Sequence, residues 1–208
     1  MPLFRKPADY ETFERIIIEA QERHPTRLLA WCLMRNYWHF VVWPRAAGEL
    51  TTFFRWLALT HAVRQHAAHK TAGSGRLYQG RFRCFPVQKD EHLLTICRFV
   101  ERIALMAGVV KRAEEWPWSS LGARLHGSKE LRAILCDWPI ARPRTWVKLV
   151  NKPLPKQELE KIRVCIARNR PFGSTAWQLA LAKRLGLMHT LRPLGRPTAD
   201  HSFSINEK

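Results

Sequence analysis

Tyr37 and His39 stand two residues apart inside an apolar run, and that spacing suits metal chemistry. Residues 32–44 read Cys-Leu-Met-Arg-Asn-Tyr-Trp-His-Phe-Val-Val-Trp-Pro. The run ends at Met34, turns at Arg35-Asn36 and resumes from Tyr37 to Trp43. In a strand alternate side chains share a face, so Tyr37 and His39 point one way and Trp38 and Phe40 the other. Two polar side chains on one strand face can reach a single ion. A second set of candidates is basic and aromatic. Arg76, Arg81 and Arg83 flank Tyr78, Gln79 and Phe82. Arginine beside aromatics neutralises phosphates and stacks on unpaired bases. Arg98 and Arg102 are four apart on one helix face, which is either DNA-facing or merely solvated. Arg192 and Arg196 sit among prolines and suit a basic arm that enters a groove, or a charged disordered end.

The elements that must position these groups can be read from periodicity. A helix is predicted over 7–23, with Pro7 in its first turn, early Asp9 and Glu11, and Phe13, Ile16, Ile17 and Ala20 at helical spacing. Residues 27–34 and 37–43 form a hairpin on a two-residue turn. A long helix spans 49–69, and a breaker-rich loop follows from Lys70 to Gly75. Arg81 to Gln88 reads as a third strand. A helix over 90–107 opens on Asp90 and closes at Gly108. The order α-β-β-α-β-α predicts an α+β fold, an antiparallel sheet with helices on one side. Beyond it lie a short helical connection from Trp116, short helices at 129–136 and 144–150, and two helices at 156–168 and 174–185 joined by Asn169-Arg170-Pro171-Phe172-Gly173. Three segments follow: a core over 1–125, a basic helical extension over 126–190 and a tail over 191–208. The 156–185 pair is either a helix-turn-helix-like grip or a plain helical hairpin.

Charge points to the partner. The 208 residues carry a net charge of +18, with a pI near 10.6. Fourteen Lys/Arg against four Asp/Glu fall within 141–208, so more than half the surplus lies in the last third. A polyanion, most simply nucleic acid, is the expected partner. Five scattered cysteines, none in a CxxC pair, read as reduced core residues of a cytoplasmic protein without structural zinc. No apolar run reaches the ~18 residues of a membrane span. No small-molecule substrate is implied, and a monomer is favoured.

Seven signatures stand in register: the 32–44 hairpin, Leu77-Tyr78-Gln79-Gly80-Arg81-Phe82, Phe85-Pro86-Val87-Gln88, Arg98-Phe99-Val100-Glu101-Arg102, Glu115-Trp116-Pro117-Trp118-Ser119-Ser120-Leu121, Asn169 to Gly173, and Arg192 to Pro197. Together they resemble the REP-associated tyrosine transposases, single-tyrosine members of the HUH (histidine–hydrophobic–histidine) nucleases. The resemblance implies a ferredoxin-like antiparallel core. It implies metal-assisted cleavage of single-stranded DNA beside a hairpin of a palindromic repeat, with Mg²⁺ or Mn²⁺ bound by two histidines and a polar residue. A helix tyrosine forms the phosphotyrosine bond. It also implies a nucleoid-associated protein, and a first strand that would precede residue 1. Lack of that strand would leave an unpaired sheet edge or a gap in the core.

Carried over residue by residue, the resemblance puts the second histidine on His39, intact. The first falls on Tyr37, the nucleophilic tyrosine on Phe99, and the polar ligand on Ile103. Phenylalanine has no attacking oxygen and isoleucine no donor atom. A neutral phenol is a poor ligand, since ionising it near pH 7 works against a reference pKa of about 10. The expected protein therefore binds DNA but does not cut it, with Phe99 in a packing role and His39 either a buried hydrogen-bonded residue or a residual ligand. Two alternatives stay open: an active transposase with another nucleophile, and a decaying, non-functional copy. Among other tyrosines, Tyr10 is expected at the surface, and Tyr78 as a stacking or packing group. His61, His66 and His69 are expected to be solvated or DNA-facing.

Overall fold

The computed structural model describes residues 2–73 and 75–192. They fall into two compact units. The first comprises Met1–Phe82 with Leu94–Pro153, the second Arg83–Leu93 with Leu154–Lys208. Residues 126–153, read from the sequence as the start of an extension, group with the first unit.

The first unit is built on a hairpin. Helix α1 spans Pro7–Arg23, strand β1 Arg27–Met34, strand β2 Tyr37–Trp43 and helix α2 Glu49–His69. The two strands are antiparallel, with Met34 opposite Tyr37 and Cys32 opposite His39. The apolar alternation of β2 sends Trp38, Phe40 and Val42 to the side of α1 and α2, where they pack against Phe13, Ile16, Ile17, Phe53, Phe54 and Leu57. Trp38 stacks on Phe54 with ring centroids 5.4 Å apart. The opposite face carries Tyr37 and His39 toward helix α3, Glu91–Met106. Helices thus cover both faces of the hairpin, not one side as the sequence suggested. The reason lies in β1, whose residues from Leu28 to Met34 are apolar on both faces and buried on both.

Two further expectations are corrected. Residues 81–88 form no strand. Pro86 lacks an N–H, and the neighbouring backbone bonds to Phe172 instead: Phe172 N donates to the Pro86 carbonyl at 2.8 Å and Gln88 N to the Phe172 carbonyl at 2.9 Å. The result is one isolated bridge, so among the described residues the only sheet has two strands.

The outer edge of β1 is also not left unpaired. Leu33 N donates to the Trp118 carbonyl at 2.9 Å, and the Leu33 carbonyl accepts Trp116 Nε1 at 2.9 Å. The β1 register shifts between Leu28 and Ala30, and the Leu29 carbonyl there accepts both Arg124 Nη2 at 2.8 Å and Trp138 Nε1 at 2.9 Å. Cys136 N closes the end of the edge on the Leu28 carbonyl at 2.8 Å. Loop backbone and tryptophan side chains do the work of a neighbouring strand.

Local signals set the remaining elements. Asp90 accepts the His92 amide at 2.9 Å and so caps the start of α3. At its end Gly108 takes φ 68, and Val109 N reaches the Ala104 carbonyl at 3.0 Å, a closure that favours glycine. A single 3₁₀ turn (Ala113–Glu115) leads to α4 (Ser120–His126), α5 (Lys129–Ala133) and α6 (Trp146–Asn151). In the second unit α7 (Lys156–Arg168) and α8 (Thr175–Leu185) are joined by 169–174, with Asn169 at φ 55 and Ser174 capping Trp177 N. A short α9 spans Met188–Leu191. Three of the five cysteines, Cys32, Cys97 and Cys165, are buried, and all five are free thiols. Among the described residues no helix is long and apolar enough to cross a membrane.

Candidate functional site

Strand β2 and helix α3 bring the expected reaction-centre positions together. Tyr37 and His39 share the α3-facing side of the hairpin because they are two apart on a strand. Phe99 and Ile103 share one side of α3 because they are four apart on a helix. The Phe99 ring meets His39 edge to face, with centroids 6.2 Å apart at 73°. Tyr37 meets His39 at 5.4 Å and 69°. Ile103 lies one turn further along and is 4 % exposed.

The electrostatics of this cluster are those of a packed aromatic site. Desolvation drives the His39 pKa down to about 4, so the imidazole is neutral at pH 7. Partial burial, and then the Cys32 thiol, hold the Tyr37 phenol above its ordinary value. The donor set is therefore one neutral imidazole and one protonated phenol, with nothing from Phe99 or Ile103. Mg²⁺ demands near-octahedral oxygen coordination, and Mn²⁺ likewise favours oxygen donors. These residues do not fit either ion. The one group of potential ligands among the described residues is Asp90, Glu91 and His92. There Asp90 Oδ1 already holds His92 Nδ1 at 2.7 Å and caps the helix.

The basic candidates divide. Arg76, Arg81 and Arg83 are exposed, as are Gln79 and Arg192. Arg196 lies outside the described residues. Arg98 and Arg102 are part-exposed and engage backbone carbonyls of the same unit. Arg102 Nη1 donates to the Val150 carbonyl at 2.6 Å, and Arg98 Nη2 to the carbonyls of Lys152 at 2.8 Å and Pro153 at 3.1 Å. They cap the carboxyl end of α6, where unpaired carbonyls attract cations.

Tyr78 packs inward. Its hydroxyl accepts Trp38 Nε1 at 3.1 Å and stands 2.6 Å from His61 Nδ1. Burial raises its pKa well above the ordinary value. Desolvation lowers the His61 pKa to about 4, so the imidazole is neutral at pH 7, and its buried Nε2 has no hydrogen-bond partner. That corrects the solvated reading of the α2 histidines. His61 is 0 % exposed, His69 Nε2 holds Asp9 Oδ1 at 2.9 Å, and His66 Nδ1 holds Thr71 at 2.9 Å. Tyr10 is likewise inside at 9 % exposure, stacked between Phe4 and Trp118, not at the surface.

Of three buried acids, the sequence places Asp9 at the start of α1 and assigns no role to Glu14 and Glu101. Asp9 accepts the amides of Arg5 at 2.7 Å and Lys6 at 3.2 Å and fixes the start of α1. Glu101, 1 % exposed, accepts Ser120 Oγ and Trp146 Nε1, both at 2.6 Å. Glu14 is 8 % exposed, and its Oε1 has no partner. Each stands four residues from an apolar partner on the buried side of its helix (Phe13 beside Asp9, Tyr10 beside Glu14, Cys97 beside Glu101), and that helical spacing was the available signal.

Comparison with known proteins bears on the same region. Residues 2–103, just under half of the chain, match the family described as Transposase IS200 like, and the match supports the transposase family. No curated protein and no solved structure matches the chain.

Proposed function

We propose that the chain, with its transposase-family segment at residues 2–103, binds single-stranded and hairpin DNA of palindromic repeats and does not cleave it. The observation that carries this reading is the Tyr37–His39–Phe99 cluster. Three aromatic rings occupy the place where the resemblance puts two metal ligands and a nucleophile. A ferredoxin-like HUH core, REP-associated specificity and a nucleoid location in the cytoplasm belong to the same proposal. Its support is the hairpin with α3 laid across the His39 face, and the net charge of +18. Exposed Arg76, Arg81 and Arg83 are the proposed phosphate contacts.

The alternative of an active enzyme with another nucleophile narrows to one residue. The Tyr10 ring is buried and the Tyr78 hydroxyl is engaged, while Tyr37 is 41 % exposed.

The test is a native gel shift comparing a DNA hairpin carrying a short single-stranded flank with a random duplex of equal length. The hairpin binds more tightly, and affinity falls steeply with salt as counterions are released. Equal affinity for both at one salt concentration rejects the specificity.

A further inference from the structure

Among the described residues Tyr37 is the one exposed side chain of the Phe, Tyr and Trp types. Tyr78, which the sequence offers as a stacking group, is spent on Trp38 and His61 inside the first unit. The Tyr37 ring is also held in place. It meets His39 at 5.4 Å and 69°, and His39 in turn meets Phe99 at 6.2 Å and 73°. A tyrosine supported in this way loses little side-chain freedom when a ligand lies on it.

The turn that leads into Tyr37 is basic. Arg35 and Asn36 form it, and both are exposed. The Arg35 carbonyl accepts Leu3 N at 2.9 Å and Phe4 N at 3.1 Å. That pairing ties the start of the chain to the turn and brings Arg5 and Lys6 close to it. Arg5, Lys6 and Arg35 are exposed, and none is in an ion pair among the described residues. Asp9, the acid of the first α1 turn, is buried and bound by the Arg5 and Lys6 amides and by His69.

From this geometry we infer that Tyr37 is a stacking platform for one unpaired base of single-stranded DNA, with Arg5, Lys6 and Arg35 holding the phosphates beside it. A base inside a duplex is already stacked on both sides, whereas an unpaired base offers a free face to an aromatic ring. Exposed cations beside an open ring are the combination that single-strand sites use. The four residues lie within residues 2–103, which match a transposase family, and this makes DNA the polyanion. A position that would carry a metal ligand in a cutting enzyme thus serves as a base contact in this chain. The role rests on the proposed DNA binding, and it names the group that meets the single-stranded flank.

The experiment measures binding of the full chain to a DNA hairpin with a short single-stranded flank, to the same hairpin without the flank, and to a set in which an abasic spacer replaces one flank nucleotide at a time. The flank raises the affinity of the wild type, and the spacer at one position lowers it roughly five- to a hundredfold, the range for a stacked base. Tyr37→Leu loses the same factor on the intact flank, and the spacer costs it nothing further. Tyr37→Phe keeps wild-type affinity. Replacing Arg5, Lys6 and Arg35 together by alanine lowers the slope of log affinity against log salt by about 2, the share of three single-strand phosphates. A readout that needs no variant is the wild-type complex with 5-iodouracil at the sensitive position, which on irradiation cross-links to the peptide that holds Tyr37. No gain from the flank, equal spacer losses in wild type and Tyr37→Leu, an unchanged salt slope in the triple variant, or a cross-link elsewhere each overturns the inference while hairpin binding stands. Failure of every DNA to bind overturns it together with the proposed function.

Discussion

His39 and Phe99 meet edge to face, 6.2 Å between ring centroids, one on the hairpin and the other on the helix that crosses it. A catalytic site of the implied chemistry needs a hydroxyl and a metal at this meeting point, and the pair supplies neither. The expected outcome is that the protein forms no covalent adduct with single-stranded DNA in Mg²⁺ or Mn²⁺, read as the absence of a shifted band on a denaturing gel. Phe99→Tyr alone recovers little, because nucleophile and ion act as one unit and their losses are not additive. The combination Tyr37→His, Phe99→Tyr, Ile103→Asn is the set expected to restore the band. A metal-dependent band from the unmodified chain would reverse the cleavage-deficient reading and make Tyr37 the nucleophile.

Arg81 and Arg102 separate binding from folding. Arg81 is exposed, while Arg102 is committed to the Val150 carbonyl at 2.6 Å. Arg81→Ala is expected to lower the slope of log affinity against log salt by about 1, the signature of one lost phosphate contact. Arg102→Met is expected to leave that slope unchanged and to lower folding stability by about 1–2 kcal/mol, since it strips a charged donor from a helix end. A changed slope with Arg102→Met in the absence of a stability loss would return it to the DNA-binding set.

Much of this molecule is legible from periodicity alone. The spans of α1, both strands, α2 and α7 can be read because each carries a clear apolar period and its own stop signal. The meeting of Tyr37 and His39 is legible for the same reason. What escapes is non-local. Nothing near Val87 announces that its neighbours bond to Phe172, or near Leu29 that Arg124 and Trp138 will close its carbonyl. The inward turn of Tyr78 depends on Trp38 and His61, far from it in the chain. Within the 126–190 segment, read as a basic helical extension, Trp146 donates to the buried Glu101 carboxyl. A basic composition describes the surface of a segment and is silent about the few apolar residues that dock it.

His61 makes the fold sensitive to acid. Desolvation lowers its pKa to about 4, against an ordinary value of 6.5. The unfolded chain takes up a proton below pH 6.5 and the folded chain does not, so stability is full above pH 6.5 and declines as pH falls toward 4. The contribution is roughly 3 kcal/mol at most. His61→Gln retains an acceptor for the Tyr78 hydroxyl and removes the titration. Urea unfolding at several pH values should show a shallower acid decline in that variant than in the wild type; what remains comes from His39, lowered to about 4 in the same way, and from lowered carboxylates such as Asp9, and is offset in both proteins alike by Glu14. An undiminished decline would place the acid sensitivity elsewhere.

Glu14 acts with the opposite sign. Burial raises its folded pKa to about 8 from an ordinary 4.5. Below pH 4.5 both states hold the proton and Glu14 contributes fully. Between pH 4.5 and pH 8 the unfolded chain releases it while the folded chain retains it, so stability falls as pH rises through this window. The decline is on the order of 4 kcal/mol, because the carboxyl is enclosed and screening by solvent is slight. Glu14→Gln keeps the shape and cannot ionise. It should match the wild type near pH 4.5, exceed it increasingly toward pH 8, and leave the acid decline of the histidines intact. Denaturant midpoints of the two proteins measured in parallel from pH 4.5 to pH 9 decide the matter: curves that remain parallel would mean that Glu14 is ionised in the folded protein, its charge met by a partner that the buried Oε1 does not have here.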